Sequence, residues 1–199
     1  MKNHLIIVLF VLVSLLAGAC SSVATSTPVS DLSGGYPLST KTGVEVVDNV
    51  LAAVASGNTD ELRSLIQYTT APCTTADGLG GPPKCNEGEP HGQTLQVLPF
   101  LGSEGSFIRQ NEIGNWDGID ATAVYAVYRV SEGARREEYY PPGEYAVIFL
   151  GPPNELGVSV RIGSKGIVRI DSLFDTSPEA LKLVIERDAS EVILAPKSR

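Results

Sequence analysis

The sequence predicts an α+β domain in which an N-terminal helical hairpin packs on an antiparallel sheet, followed by a C-terminal helix. Three observations lead to this prediction. Apolar residues recur at helical spacing in residues 44–66, strand patterns follow in residues 94–173, and a last helix begins at Ser177 with Pro178 in its first position. Because nothing repeats in residues 36–199, we expect a single globular domain there.

Capping residues and apolar spacing predict the first two helices. Thr42 and Glu45 have the spacing of a capping box, and apolar residues then recur until Gly57 ends the helix. Asn58 is a favourable N-cap for a second helix, whose first turn carries acids that complement the helix dipole. Two helices joined by so short a turn should form a hairpin.

Alternating patterns predict strands at residues 94–101, 106–109, 121–130, 145–150, 158–162 and 167–173. Residues 121–130 are apolar on both alternating faces, so we expect this strand in the middle of the sheet with both faces covered. In residues 158–162, valine and isoleucine alternate with Ser159 and Arg161. This strand is therefore predicted to be exposed on one face.

The first 20 residues have the layout of a secretory signal. Lys2 gives a positive start, residues 5–16 form an apolar run, and small residues follow. The run is shorter than the roughly 20 apolar residues that a transmembrane helix needs. We therefore expect residues 1–19 to be a cleaved signal peptide.

Residues 16–20 read Leu-Ala-Gly-Ala-Cys and resemble the bacterial lipobox. The resemblance implies a lipoprotein with a diacylglycerol on the Cys20 thiol, further acyl chains such as palmitate, and Cys20 as the new N-terminus. The alternative is ordinary cleavage after Ala19, which would release a soluble protein. Ser21 follows the cysteine, and in a cell with two membranes the resemblance implies sorting to the outer membrane.

Residues 20–35 are expected to be the lipidated cysteine and a flexible tether. They are rich in small polar residues and too poor in large apolar ones to form a core. A flexible segment of this length spans about 20 Å on average. We therefore expect the cell membrane or outer membrane as the location, with a lipid-anchored domain that faces the periplasm or the exterior.

The charge of the chain argues against a nucleic-acid partner. The formal net charge is −8, and removing Lys2 with the signal leaves −9. No basic cluster is longer than the pair Arg135 and Arg136, whereas nucleic-acid binding uses a basic face. The partners expected are the membrane, through the lipid anchor, and a small-molecule or envelope-protein ligand.

Cys73 and Cys85 form an even pair in an oxidising compartment, which predicts a disulfide. The stretch between them favours neither helix nor strand, and a crosslink of this loop would contribute about 3 kcal/mol. The alternative is a metal site that adds His91 and Glu87 or Glu89. The close cysteine spacing typical of such sites is absent, so we expect no metal and no cofactor.

Residues 44–66 also resemble the start of NTF2-like (SnoaL-like) cone domains. Those domains open with a helix, a Gly-Asn or Gly-Asp turn and a second helix, and Gly57 and Asn58 occupy the turn here. The likeness in element order extends over residues 44–173. It implies a curved sheet that wraps a pocket.

The chain contains no G-x-S-x-G elbow, no Walker loop, no H-E-x-x-H and no G-x-G-x-x-G motif. The catalytic candidates are therefore a carboxylate with a raised pKa in a pocket, and a tyrosine beside it. Glu104 is the first such carboxylate, because its predicted turn could lie at the mouth of the cone, although solvated loop charge is the alternative. Tyr125 and Tyr128 are the candidate tyrosines.

Three aromatic residues are candidates for ligand contact. Trp116 lies in a loop-like setting, where an aromatic side chain either contacts a ligand or closes the edge of the core. Tyr139 and Tyr140 precede a Pro-Pro turn and suit a sugar or peptide surface, or rings packed across the end of a sheet.

The leading functional hypothesis is a non-catalytic module that binds a small molecule or an envelope partner through its concave sheet. The alternatives are a hydrolase-like or isomerase-like enzyme that uses a pocket carboxylate, and a structural envelope protein. A closed pocket with a buried acid would favour the enzyme. An apolar or filled cone would favour binding or scaffolding.

Overall fold

The computed structural model describes residues 35–78, 80–102, 106–134, 138–153 and 155–197. These residues belong to one compact unit, Leu32–Arg199. The predicted signal peptide, Cys20 with nearly all of the tether, and Glu104 lie outside the described residues. Within the described part, no helix is both long and apolar enough to cross a bilayer.

Helices and strands are largely segregated along the chain, as expected of an α+β protein. In chain order they are α1 (Glu45–Ser56), α2 (Thr59–Ser64), β1 (Thr69–Pro72), β2 (Thr94–Leu101), β3 (Ser106–Arg109), a 3₁₀ helix (Gln110–Asn115), β4 (Ala123–Val130), β5 (Tyr145–Leu150), β6 (Gly157–Ile162), β7 (Ile167–Leu173), α3 (Pro178–Asp188) and β8 (Ala189–Leu194). The predicted α+β class is confirmed.

The eight strands form one mixed sheet in the order β1-β2-β7-β6-β5-β4-β8, with β3 paired to β2. The prediction of a wholly antiparallel sheet is wrong, because β2 and β7 run parallel where Phe100 and Leu101 face Ile170 and Asp171. Parallel neighbours need a long connection between them. The four strands that separate β2 from β7 along the chain provide it.

Helix α1 packs on one face of the sheet, called here the inner face. Its buried residues Val47, Val50, Leu51 and Val54 join a core cluster with apolar side chains from β2 and from β4 to β7. The sheet residues of this cluster are Leu98, Val124, Val127, Val147, Phe149, Val160, Ile162, Ile167 and Ile170. Burial of this set on both partners drives α1 onto the sheet.

Helix α3 covers the opposite, outer face. Leu181 and Ile185 pack there with outward residues of β4 and β5, which are Tyr125, Ala126, Tyr128, Ala146 and Ile148. The prediction that both faces of β4 are covered is confirmed, but β4 is not in the middle of the sheet, because it pairs with β5 on one side and with the edge strand β8 on the other.

Two of the three predicted helix starts have the expected caps. Asn58 accepts hydrogen bonds from the first backbone N–H groups of α2, and Ser177 accepts one in α3. The predicted capping box is wrong, because the N-cap of α1 is Val44, which has no capping side chain. Thr42 instead donates its backbone N–H and its hydroxyl to Asp48, at 2.7 and 2.8 Å, since that carboxylate is the stronger acceptor.

Candidate functional site

Apolar side chains fill the space between α1 and the inner face of the sheet in the described part of the chain. The cluster between α1 and the sheet is apolar, and its members are at most 6% exposed. The buried polar residues of the described chain lie elsewhere, either beside the cysteine loop or on the outer face. In the described part of the chain, α1 and apolar core residues cover this face, which the sequence suggested for binding.

The outer face instead carries a cluster of buried ion pairs. The Nε of Arg161 donates to Asp171 at 3.1 Å, and its Nη2 donates to Asp188 at 2.5 Å. Arg169 binds Asp171 through two nitrogens, at 2.5 and 2.9 Å. Arg161, Arg169 and Asp188 are each at most 3% exposed, so these charges are nearly removed from water.

The register of β6 and β7 explains the cluster. Arg161 and Arg169 face each other across the two strands, and like charges in that position repel. Asp171, two residues further along β7, bonds both guanidinium groups. The predicted exposure of one β6 face is therefore wrong: Ser159 and Arg161 are 1% and 3% exposed, because the carboxylates make burial of this polar face tolerable.

Asp188 connects the end of α3 to this cluster. Burial acts to raise the pKa of Asp188, but hydrogen bonds from Arg187 and Arg161 outweigh it and lower the pKa below its usual 3.8. A carboxylate at a helix C-terminus also opposes the helix dipole, so it depends on these cations. Asp188 is thus a fixed anion and not a proton donor.

Both catalytic tyrosine candidates lie on the outer face. Tyr128 is fully buried, and burial raises the pKa of its phenol. Tyr125 is 8% exposed and packs in the same cluster as α3. Neither tyrosine lines an open site.

The three aromatic ligand candidates are not brought together. Trp116 packs against the inner core, and its carbonyl accepts a hydrogen bond from Arg63. Tyr140 is 4% exposed, and its ring centre lies 5.0 Å from that of Phe107. Tyr139 is half-buried, and a hydrogen bond with Glu138 raises the pKa of its phenol. Trp116 and Tyr140 therefore fit the alternative that the sequence left open, in which the aromatic ring packs against the protein and does not contact a ligand.

Cys73 and Cys85 form the predicted disulfide, so neither thiol is available to a metal. Within the described ranges, no three His, Cys, Asp or Glu side chains gather in a group that could hold a metal ion. His91 accepts a long, 3.4 Å hydrogen bond at Nδ1 from the backbone of Thr75.

An ion pair fixes the same loop at a second point. Arg109 of β3 donates to both carboxylate oxygens of Glu89, at 2.7 and 2.9 Å, and to the carbonyl of Lys84 at 2.6 Å. The hydrogen bonds from Arg109 lower the pKa of Glu89. The cysteine loop, residues 73–93, is therefore held against β3 by bonds that do not depend on the disulfide.

The candidate site is an open cleft of about 490 Å³ at the beginning of α1. The first turns of α1, the start of β5 and the β6–β7 turn form its walls. The lining residues are Val44, Glu45, Val46, Asn49, Glu144, Tyr145, Ser164 and Lys165. The volume is in the range of small-molecule sites.

Two glycines bring the walls of the cleft together. Gly143 has φ +74°, and a Cβ there would lie 3.0 Å from the backbone nitrogen of Ile162. A Cβ on Gly166 would lie 1.9 Å from the carbonyl oxygen of Leu65, which accepts a hydrogen bond from Ile167. The absence of side chains allows the turn before β5 and the β6–β7 turn to pack closely on their neighbours.

The charges in the cleft are available to a ligand. Glu45, Glu144 and Lys165 are exposed, and none forms an ion pair with another described residue. The ring of Tyr145 is held by Arg129, whose guanidinium carbon lies 4.8 Å from the ring centre. Two anions, one cation and a fixed aromatic ring therefore surround one opening.

Sequence reasoning missed every residue of this cleft. The local signals are the glycines before β5 and in the β6–β7 turn, but these mark turns and give no sign that α1 meets them. No family model, curated protein or solved structure matches the chain.

Proposed function

We propose that the protein is a membrane-anchored, non-catalytic binding module that takes a small polar ligand, or a polar group of an envelope partner, in the cleft at the start of α1. The observation that carries the proposal is the set of unpaired charges, Glu45, Glu144 and Lys165, around an open cleft of about 490 Å³. Charged groups without an internal partner can bind a ligand without first breaking an internal contact.

The distribution of ionisable groups supports binding over catalysis. An acid–base catalyst needs a group in its pocket whose protonation is poised by the surroundings. The buried acids Asp171 and Asp188 lie under α3 instead, each bonded to arginine side chains. No observation favours the hydrolase-like or isomerase-like alternative, and the structural alternative does not account for the unpaired charges.

The NTF2-like cone remains part of this proposal. It is supported by the order of two helices followed by a sheet, and by the position of α1 across the inner face. The filled interior means that this version of the cone would bind at its rim and not inside.

The lipid anchor on Cys20 is also proposed. Replacing Cys20 by alanine should remove the protein from the membrane fraction, because the N-terminus would then carry no acyl chains to insert into the bilayer. Fractionation with an alkaline wash measures this, and Ser21→Ala should remain in the membrane as the matched control. Retention of the Cys20→Ala variant after the wash contradicts the anchor.

Native mass spectrometry of the full lipoprotein, extracted in mild detergent from its own membrane, tests the cleft. We expect a reproducible adduct whose amount changes in Lys165→Glu and in Glu144→Lys. If the ligand is charged, the two variants change the adduct in opposite directions and so reveal its sign. The matched control is Lys182→Glu on α3, where the side chain is 71% exposed and does not line the cleft.

The binding proposal fails if the wild-type protein has a bare mass under these conditions. It fails equally if both cleft variants, Lys165→Glu and Glu144→Lys, retain the adduct at the wild-type level.

A further inference from the structure

The cleft at the start of α1 has a carboxylate on two of its walls. Glu45 is the first residue of α1, and Glu144 directly precedes β5. The backbone of Glu144 is held on both sides, because its N–H donates to the carbonyl of Ile162 at 2.7 Å and its carbonyl accepts from Val130 at 2.9 Å. A ligand in the cleft therefore meets negative charge both from the helix and from the sheet.

The positive end of the α1 dipole is already matched by acids of the helix itself. Glu45 and Asp48 lie in the first turn, where carboxylates complement the dipole. The carboxylate of Asp48 also accepts the N–H groups of Thr42 and Gly43, at 2.7 and 3.2 Å. The N–H of Val44 donates to the hydroxyl of Thr42 at 3.1 Å. An anionic ligand at this helix start would lie beside acids that already occupy it.

Lys165 provides the cation among the lining residues. It lies in the β6–β7 turn, which is closed by a hydrogen bond from the N–H of Gly163 to the carbonyl of Gly166 at 2.8 Å. An ammonium has three donors and no acceptor, and the nearby side chains of Asn49 and Ser164 can also donate. This side of the cleft therefore suits oxygen atoms of a ligand.

The balance of charge favours a cationic group on the ligand. Two carboxylates and one ammonium line the cleft, and the formal net charge of the chain is −8. The field of such a chain attracts cations and repels anions. The cleft, at about 490 Å³, has the size of a small molecule and not of a bare ion. A protonated amine fits these conditions, because its three N–H donors can bond to carboxylates on two walls at once.

We propose that the ligand of the cleft carries a protonated amine, which binds between Glu45 and Glu144, on a body whose oxygen atoms accept hydrogen bonds from Lys165. The inference rests on the proposed function and specifies the chemistry of the ligand. An amino sugar has this combination of groups. A lysine side chain beside peptide carbonyls, on an envelope partner, has it as well.

Two matched sets of probes test the amine. The full-length lipidated protein in mild detergent is titrated at pH 6 with glucosamine, glucose and N-acetylglucosamine, and binding is measured by calorimetry. Nα-acetyl-lysine amide and its Nε-acetylated form make the second set. In at least one set, the ammonium compound should bind about tenfold or more tightly than its uncharged counterparts, because hydrogen bonds to charged groups are the stronger ones. The set with the tighter ammonium compound identifies the source as a sugar or a protein.

Glutamine variants locate the amine in the cleft. Glu45→Gln and Glu144→Gln keep the shape of the side chain and remove its charge, so each should weaken binding of the ammonium compound about tenfold. Lys165→Gln should weaken it less than either. The matched control is Glu87→Gln, an exposed acid of the cysteine loop that does not line the cleft, and its affinity should equal that of the wild type.

The amine proposal is overturned if neither ammonium compound binds more tightly than its uncharged counterparts, or if both glutamine variants bind like the wild type. Failure of the proposed function is a different result, because the wild-type protein then has a bare mass in native mass spectrometry. A native adduct that is lost in Lys165→Glu but kept in Glu144→Lys would show an anionic ligand. That result keeps the cleft as a binding site and rejects the amine.

Discussion

At the residue scale, the clearest feature is a carboxylate that no water reaches. Asp188 is fully buried and receives hydrogen bonds from Arg161 and Arg187. Removing one partner of such a group leaves the others as uncompensated buried charge. Asp188 therefore contributes to the stability with which α3 packs on the outer face.

Asp188→Ala should lower the free energy of unfolding by about 3–5 kcal/mol, because Arg161 would keep its charge in a buried place with one acceptor fewer. Urea denaturation measures the change. The matched control is Glu191→Ala, which breaks an ion pair with Arg129 whose two side chains are 64% and 48% exposed. That control should lose less than about 1 kcal/mol. Equal losses in the two variants would show that the buried pair has no special role.

The same residue predicts how stability depends on pH. The folded pKa of Asp188 is lowered from 3.8, so in acid the unfolded chain takes up its proton first. The stability that Asp188 contributes is thus fully present above about pH 5 and is lost as the pH falls through the folded pKa, below 3.8. Urea midpoints at pH 7, 5, 4 and 3 should show this decline.

In Asp188→Asn, the decline between pH 5 and pH 3 should be shallower, since the titrating group is gone. An unchanged slope in that variant would assign the acid sensitivity to other carboxylates, of which Asp48 and Glu89 also have lowered pKa values.

At the element scale, the cysteine loop is a long connection that is fixed twice. The disulfide joins residues separated by 12 positions, and the pair of Arg109 and Glu89 joins the loop to β3. The loop lies between β1 and β2, so its attachment positions the edge of the sheet.

The double variant Cys73→Ser/Cys85→Ser should unfold about 3 kcal/mol more easily, because its unfolded chain regains the entropy of a loop of this size. Chemical denaturation of this variant and of the wild type gives the difference. The sheet should survive, since Arg109 still holds the loop through Glu89. Loss of the far-ultraviolet circular dichroism of the sheet at neutral pH would contradict this expectation.

Gly166→Ala tests the close approach of the β6–β7 turn to the end of α2. The added Cβ would meet the Leu65 carbonyl oxygen at 1.9 Å, so the backbone must shift, at a cost of about 1–3 kcal/mol. Gly114→Ala is the control, because nothing lies within 4 Å of its Cβ position. Thermal unfolding of both variants compares them. A Gly166→Ala protein as stable as the control would mean that the turn is free to move.

Elements with a strong periodic pattern were predictable. The sequence predicts β2 and β5 with the bounds that the structure has, because their apolar runs are bordered by turn residues. It does not predict β8, where Ser190 and Glu191 break the pattern and the strand follows Asp188 without a turn. The pairing of β8 with β4 supplies what the local sequence lacks.

At the scale of the whole molecule, the candidate cleft could not be predicted because distant segments form it. Its walls come from residues 44–49, 144–145 and 164–165, and only the sheet order brings them together. The predicted site residues were chosen by residue type and local setting. The fold buries Tyr125, Tyr128 and Tyr140, since aromatic side chains gain most from burial.

The sandwich of α1, sheet and α3 predicts where the structure is most stable. Central amides of β4 and β5 should exchange hydrogen only through global unfolding, because both faces of these strands are covered. Amides in residues 75–91 should exchange through smaller openings. Hydrogen exchange followed by mass spectrometry compares the two groups. Similar protection in both would indicate that the loop unfolds only with the sheet.

The parallel pairing of β2 with β7 also has a consequence for the time at which the chain can fold. Phe100 meets Ile170, 70 positions later, so the sheet cannot close until most of the domain is present. Contacts so far apart in sequence form slowly. The export proposed above requires the chain to stay unfolded until it has crossed the membrane. The topology suits that requirement, because β7, which connects β1 and β2 to the rest of the sheet, is one of the last segments to emerge.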